Sequence, residues 1–261
     1  MLIRQPLFSG SFYPDDPKIL KEMIDNFLHQ ASAPKLKNKP KALIVPHAGY
    51  IYSGPIAAYG YKAVSFFDYK KIILLGPSHN FSFYGIAVSP FLKWLTPLKE
   101  TDCLTLKDFP FLKENKFIQE SLEIHEPEHS LEVQLPFLQT IFKDFVIFPL
   151  IVGDLEVEEG KKILTSILDE ESLLVVSSDL SHYLPFNEAL KQDKVTLDAI
   201  LDLDLERFLN YGEACGKIPI SFLIALAKEK NWFPKLLKAA NSGETQGGRD
   251  QVVGYASVVF I

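Results

Sequence analysis

The feature that most constrains this chain is a pair of wholly apolar runs, each of which ends in a histidine. The first reads Lys41-Ala-Leu-Ile-Val-Pro46-His47-Ala-Gly49, and the second Lys71-Ile-Ile-Leu-Leu-Gly76-Pro77-Ser-His79-Asn80. Neither alternates apolar with polar residues, and both are closed by Pro or Gly, as in a strand covered on both faces. Between them, residues 55–66 have a helical pattern with Pro55 placed in the first turn. Strand, helix and strand make a βαβ unit, whose two strands run parallel. Parallel strands finish on one edge of the sheet, so His47 and His79 reach the same rim, where open α/β sheets bind ligands. A third run, Leu173-Leu-Val-Val-Ser-Ser178, ends in Asp179-Leu-Ser-His182 and repeats the pattern. A single such ending is explained by an Asp that caps a turn and a His bonded to backbone. Three endings point to a shared polar site.

The rest of the chain supplies layers for that sheet. Asp16 and Pro17 open a helix to about residue 30, with Leu20, Met23, Ile24 and Phe27 at helical spacing and His29 on its solvated side. Further helices are expected over 130–142, 156–168, 187–201, 205–211 and 219–229, with Pro136 kinking the first of these or marking its first turns. Strands are expected over 85–88, 145–152, 236–240 and 252–261, and an irregular stretch over 90–102. With 261 residues, 47% of them hydrophobic, the chain suffices for one large α/β domain. A net charge of -6 argues against a general nucleic-acid binder. The longest apolar stretch, residues 145–153, is too short to span a bilayer, so no membrane role is expected. The first residues hold no apolar core of a secretory signal, and two cysteines make no disulfide framework, so a cytoplasmic location is expected.

Cys215 lies in Glu213-Ala-Cys215-Gly216-Lys217-Ile-Pro219, just ahead of a helix start. A helix N-terminus and Lys217 would both favour a thiolate; the other reading is a buried, inert cysteine, which is also how Cys103 reads. Two imidazoles and a thiolate would suit Cu, Fe or Zn. The stretch His125-Glu126-Pro127-Glu128-His129 matches the letters of a zinc-protease motif, but that motif needs one continuous helix through both histidines. Pro127 forbids it. His129 is therefore expected near the rim on its own, as an acid/base or supporting group. The chain contains no GxSxG elbow, P-loop or GxGxxG.

Taken in order, Gly10-Ser-Phe12-Tyr13, Pro46-His47-Ala-Gly49-Tyr50 with Tyr52-Ser-Gly54, Gly76-Pro77-Ser-His79, Glu128-His129-Ser-Leu-Glu132, Ser177-Ser-Asp179 with His182, Cys215-Gly216 and Val253-Gly-Tyr255-Ala resemble the Memo family over nearly the whole chain. The resemblance implies the fold of class III extradiol dioxygenases, an α/β domain with a central mixed β-sheet flanked by helices. Those dioxygenases hold Fe(II) with two histidines and a carboxylate, whereas Memo proteins use two histidines and a cysteine. Carried over, His47, His79 and Cys215 would be the metal ligands. Fe(II) is the first expectation for the metal, with Cu or Zn as alternatives. Asp179, His182 and His129 would be the catalytic groups of the same pocket. The function implied is a metal-dependent, dioxygenase-like oxidoreductase acting on a small substrate. The alternative is a non-enzymatic module that binds iron, copper or a peptide there, and a hydrolase with Cys215 as nucleophile is a third reading. Radical-SAM and AMMECR-type proteins are the partners that the resemblance implies.

Overall fold

The apolar runs read from the sequence become neighbours at the centre of one large sheet. The structure is a computed structural model and describes residues 2–261. In chain order the strands are β1 (Ile3–Arg4), β2 (Ala42–Val45), β3 (Lys71–Pro77), β4 (Ile86–Val88), β5 (Lys93–Leu95), β6 (Glu100–Asp102), β7 (Ile118–Glu120), β8 (Val146–Val152), β9 (Ser172–Ser177), β10 (His182–Leu184), β11 (Pro234–Asn241) and β12 (Val252–Phe260). The helices are α1 (Pro17–Gln30), α2 (Tyr50–Val64), α3 (Leu122–His125), α4 (Leu135–Ile141), α5 (Val157–Ile167), α6 (Phe186–Leu201), α7 (Leu205–Tyr211) and α8 (Lys217–Lys230).

Nine strands form the main sheet, in the order β10-β12-β2-β9-β3-β8-β4-β7, with β11 paired to β12. The sheet is mixed. β2, β9, β3 and β8 are parallel at its centre, while β12 and β4 run antiparallel to them. The two strands of the expected βαβ unit are parallel but not adjacent, because β9 lies between them. Side chains alternate between two separate cores. Ile73, Leu75, Ile44 and Val176 meet α5, α6 and α8 on one face; Ile72, Leu74, Leu43 and Val175 meet α1, α2 and α4 on the other. A continuous apolar run is what such double coverage requires. Among the described residues, no helix is long and apolar enough to cross a membrane.

The differences from expectation are local. α1 starts as read, with Asp16 Oδ1 accepting the N–H groups of Lys18 and Ile19. α2 begins at Tyr50 and not at Pro55, because Phe12 O takes the Tyr50 N–H at 2.8 Å and turns the chain into the helix early. Pro55 therefore sits in the helix interior; the carbonyl its missing N–H would have bonded belongs to Ile51, an exposed residue where water can serve instead. The expected helix over 130–142 is a 3₁₀ turn (Glu132–Gln134) that runs into α4, with Pro136 in the first turn of α4. Within 90–102, expected to be irregular, β5 and β6 form a small sheet with β1. Strands of two or three residues carry no readable period.

Candidate metal centre

Where β2, β9 and β3 finish side by side, the residues that follow them converge. His47, His79 and Cys215 bring three ligand atoms within 4.8 Å of one another. Cys215 Sγ lies 3.2 Å from His47 Nε2, and the two imidazoles stand edge to face with centroids 5.1 Å apart.

The tautomer of His47 follows from counting protons. Ser177 Oγ has three close partners: Ser130 O at 2.6 Å, Gln134 Nε2 at 2.7 Å and His47 Nδ1 at 2.9 Å. A carbonyl can only accept, so the one hydroxyl proton goes to Ser130 O, and both nitrogens must donate. Gln134 is fixed in turn, since its Nε2 also donates to Pro46 O and its Oε1 accepts from Tyr61 Oη at 2.6 Å. His47 thus carries its proton on Nδ1 and turns a bare Nε2 towards Cys215. Burial, and next the neighbouring His79, pull its pKa down to about 3, so the ring is neutral. The Asp179 carboxylate fixes the backbone by accepting His47 N–H at 2.8 Å.

His79, the most open of the three, is held by Glu128. One carboxylate oxygen accepts His79 N–H at 2.7 Å, and the other lies 2.9 Å from Nδ1 and 2.8 Å from Ser130 N. Burial works against the Glu128 charge, but the His79 side chain and the N–H groups of His79 and Ser130 outweigh it and bring its pKa to about 2. An ionised carboxylate only accepts, so His79 Nδ1 carries a proton and donates it there, and Nε2 is the ring nitrogen left for another partner. His129 Nδ1 lies 3.3 Å from the same carboxylate, and its ring is 4.4 Å from that of His79. Burial first, and then the neighbouring His47, lower the His129 pKa to about 4.

Cys215 departs from expectation. It precedes Gly216, the N-cap of α8, whose N–H donates to Ser178 Oγ at 2.9 Å, and the help that the helix start gives the sulfur is outweighed. Burial, and then the Asp179 carboxylate, push the thiol up to about 12 against hydrogen bonds from Ser178, Asp179 and Gly216. Without a cation Cys215 is a thiol. Asp179 is itself shifted upward by burial.

Asp179, His182 and His129 join His47 and His79 around one cavity of about 580 Å³, walled by aromatic residues such as Phe12 and Tyr255. His182 comes from β10 and not from the end of β9; its Nδ1 donates to Leu180 O at 2.8 Å, leaving Nε2 free. Cys215 also lines a neighbouring cavity of about 440 Å³, with Ser78 and Lys217. His125 takes no part. It ends α3, is fully buried, bonds Ala87 O at 2.9 Å and stands edge-on to Trp94.

Several functional groups escaped the sequence reading. Glu128, Ser177 and Gln134 orient the imidazoles; Glu128 and Ser177 stand within histidine-bearing motifs, and Gln134 carried no signal in the sequence. Asp193 of α6 holds the loop that carries Asp179 and His182, accepting Ser181 N–H at 3.0 Å. Gly254 makes room for it, since a Cβ there would lie 2.0 Å from Asp193 Oδ2. We expect Gly254→Ala to displace that carboxylate and to cost about 1–3 kcal/mol, the usual penalty of overpacking. An unchanged urea midpoint for Gly254→Ala would show that the loop does not depend on this contact.

The donor set fits a metal ion. Both imidazoles have Nδ1–H held by an oxygen acceptor, which leaves Nε2 as the nitrogen for an ion, the arrangement usual for metal-binding histidines. A sulfur as third donor suits iron, copper or zinc better than magnesium or calcium.

Residues 4–259 match the family described as Memo-like protein. Proteins named MEMO1 family protein from Sulfolobus acidocaldarius and Aquifex aeolicus are each 36% identical to the chain, the first over 99% of both proteins and the second over 100% of both. One from Nitrosopumilus maritimus is 33% identical, again over 100% of both. Among solved structures, the uncharacterized protein JW3007 from Escherichia coli K12 shares the fold with a TM-score of 0.57 at 11% identity, covering 84% of this chain and 99% of that one.

Proposed function

This chain belongs to the Memo family, and from that premise we propose that it is a metal-dependent oxidoreductase acting on a small molecule, with His47, His79 and Cys215 holding one ion. Iron(II) is the first candidate, and copper and zinc are the alternatives. The observation that carries the proposal is the bare Nε2 of His47, fixed by the Ser177 hydroxyl and facing Cys215 Sγ at 3.2 Å. A redox-active ion would supply electron transfer and Lewis acidity there. The chain's own residues would do the rest. Glu128 and Ser177 keep both ligand rings in the tautomer that offers Nε2. His182, with Nδ1–H given to Leu180 O, has Nε2 available to take a proton from a substrate hydroxyl, and His129 is the second candidate base.

One observation favours a second reading, a module that carries metal without turnover. Cys215 lines a cavity other than the histidine pocket, which would give the ion a route of exchange past the sulfur. Oxygen uptake by the Fe(II)-loaded protein with a panel of phenolic substrates separates the two. Uptake that depends on substrate and on His182 supports the oxidoreductase; one ion per chain with no uptake supports the carrier. Partners of radical-SAM and AMMECR type rest on the family resemblance, and co-purification from the native host would test them.

A further inference from the structure

Arg4 belongs to a strand of two residues, yet it is 1% exposed and uses four donor contacts on one stretch of chain. Its Nε donates to His125 O at 3.2 Å, and Nη2 donates to Glu126 O at 3.0 Å and to Glu128 O at 2.8 Å. Nη1 pairs with the buried carboxylate of Glu132, and the guanidinium lies 4.4 Å over the ring of Trp94 in β5. The three carbonyls flank Pro127, where α3 has ended and no ladder takes over. Backbone groups buried in such a stretch need partners, and Arg4 provides them from one rigid, planar fork.

That stretch carries Glu128, whose carboxylate grips His79 at both its N–H and its Nδ1. A continuous line of contacts therefore runs from Arg4 through the backbone of residues 126–128 to Glu128 and on to His79. We propose that Arg4 is a positioning residue of the centre, acting through Glu128 to hold the His79 ring in its ligand orientation, and that the small sheet of β1, β5 and β6 serves to plant it. The proposal rests on the metal-binding reading above for its consequence, but not for its geometry.

The test uses the full chain as wild type, Arg4→Lys, Glu128→Ala and the double variant. Arg4→Lys is the substitution that should still fold, because it keeps a positive charge beside Glu132; an ammonium cannot serve three carbonyls and a carboxylate in the fork geometry. Three readings are taken. Long-range ¹H–¹⁵N spectra of the metal-free protein above pH 7 report the tautomer of each histidine, cobalt(II) titration followed by thiolate-to-cobalt absorption reports affinity, and urea midpoints report stability. We expect His79 to be a fixed Nδ1–H tautomer in wild type and a mixture in Arg4→Lys, while His182, tied to Leu180 O, stays unchanged. Cobalt should bind Arg4→Lys about tenfold more weakly, at the low end of what supporting residues contribute. Glu128→Ala should reproduce the change, and adding Arg4→Lys to it should add nothing, as for two residues acting in series. A lower midpoint with the His79 tautomer and cobalt affinity intact would overturn the proposal and leave Arg4 a purely structural residue. Loss of the tautomer in a protein whose wild type binds no cobalt would uphold the positioning role and reject the metal centre.

Discussion

Cys215→Ser should lower the affinity for iron(II) and copper(I) by more than about 100-fold, beyond the range typical of residues that only support a ligand. A neutral hydroxyl would replace a sulfur that becomes anionic when an ion binds, and soft ligands are what select these metals. The stability of the metal-free protein should change little. The Asp179 N–H that now points to Sγ at 3.2 Å would find an acceptor in the new hydroxyl oxygen, so no donor is orphaned. The pH dependence gives a second, independent mark. Because burial pushes the free thiol up to about 12, each ion bound must displace its proton, and wild-type affinity should rise about tenfold per pH unit between about pH 6 and 8. The imidazole of His47, lowered to about 3, is already neutral there and adds no slope. The serine variant should lack the thiol's contribution, so its affinity should climb less steeply by about a factor of ten per pH unit. Equal affinity and equal slope in the two proteins would remove Cys215 from the ligand set, and Asp179 would be the next third donor to examine.

Glu132→Ala should be among the most destabilising single changes, costing about 3–5 kcal/mol, as when one partner of a buried ion pair is removed. Glu132 is fully buried, and besides Arg4 it accepts the N–H groups of Leu7 and Phe8 and the hydroxyl of Tyr13. Its loss leaves the buried guanidinium without its counter-ion and takes the acceptor from three donors. Urea unfolding measures the effect, with Glu170→Ala as control. Glu170 pairs with Lys41, but its side chain is 91% exposed and the solvent screens the pair. A loss in Glu132→Ala no larger than in Glu170→Ala would mean that this pair does not anchor the amino-terminal segment.

What could be read from the sequence followed the physics of each element. β2, β3 and β9 were legible because burial on both faces demands an unbroken apolar run, and their endings placed His47, His79 and Asp179 on one edge. The start of α2 was not, because Pro55 has the form of a first-turn proline while the true start depends on a distant carbonyl, Phe12 O. β1, β5 and β6 are held by tertiary contacts alone. At the centre, the residue types were visible but their chemical states were not. The sequence suggested a thiolate at Cys215 from its neighbours in the chain, whereas the thiol's actual surroundings are a buried site and Asp179. Glu128 stood beside His129 in the family motif, but nothing in the sequence showed that His79 and His129 both lean on it.

The place of β9 between β2 and β3 bears on how the protein is made. His47 and the Asp179 carboxylate that holds its backbone are 132 residues apart, and β2 meets β3 only through a strand synthesised long after both. On the ribosome β2 and β3 must wait with unpaired edges until β9 emerges, and pairings over such distances form slowly. β2 waits longer still for its other neighbour, since β12 is the last strand of the chain. A nascent chain stalled before residue 172 would thus hold His47 and His79 without Asp179 or Cys215, and would present the apolar edges that chaperones recognise. Arrested chains of increasing length should bind trigger-factor-like chaperones until β9 has left the exit tunnel, and acquire cobalt absorption only after Cys215 has followed.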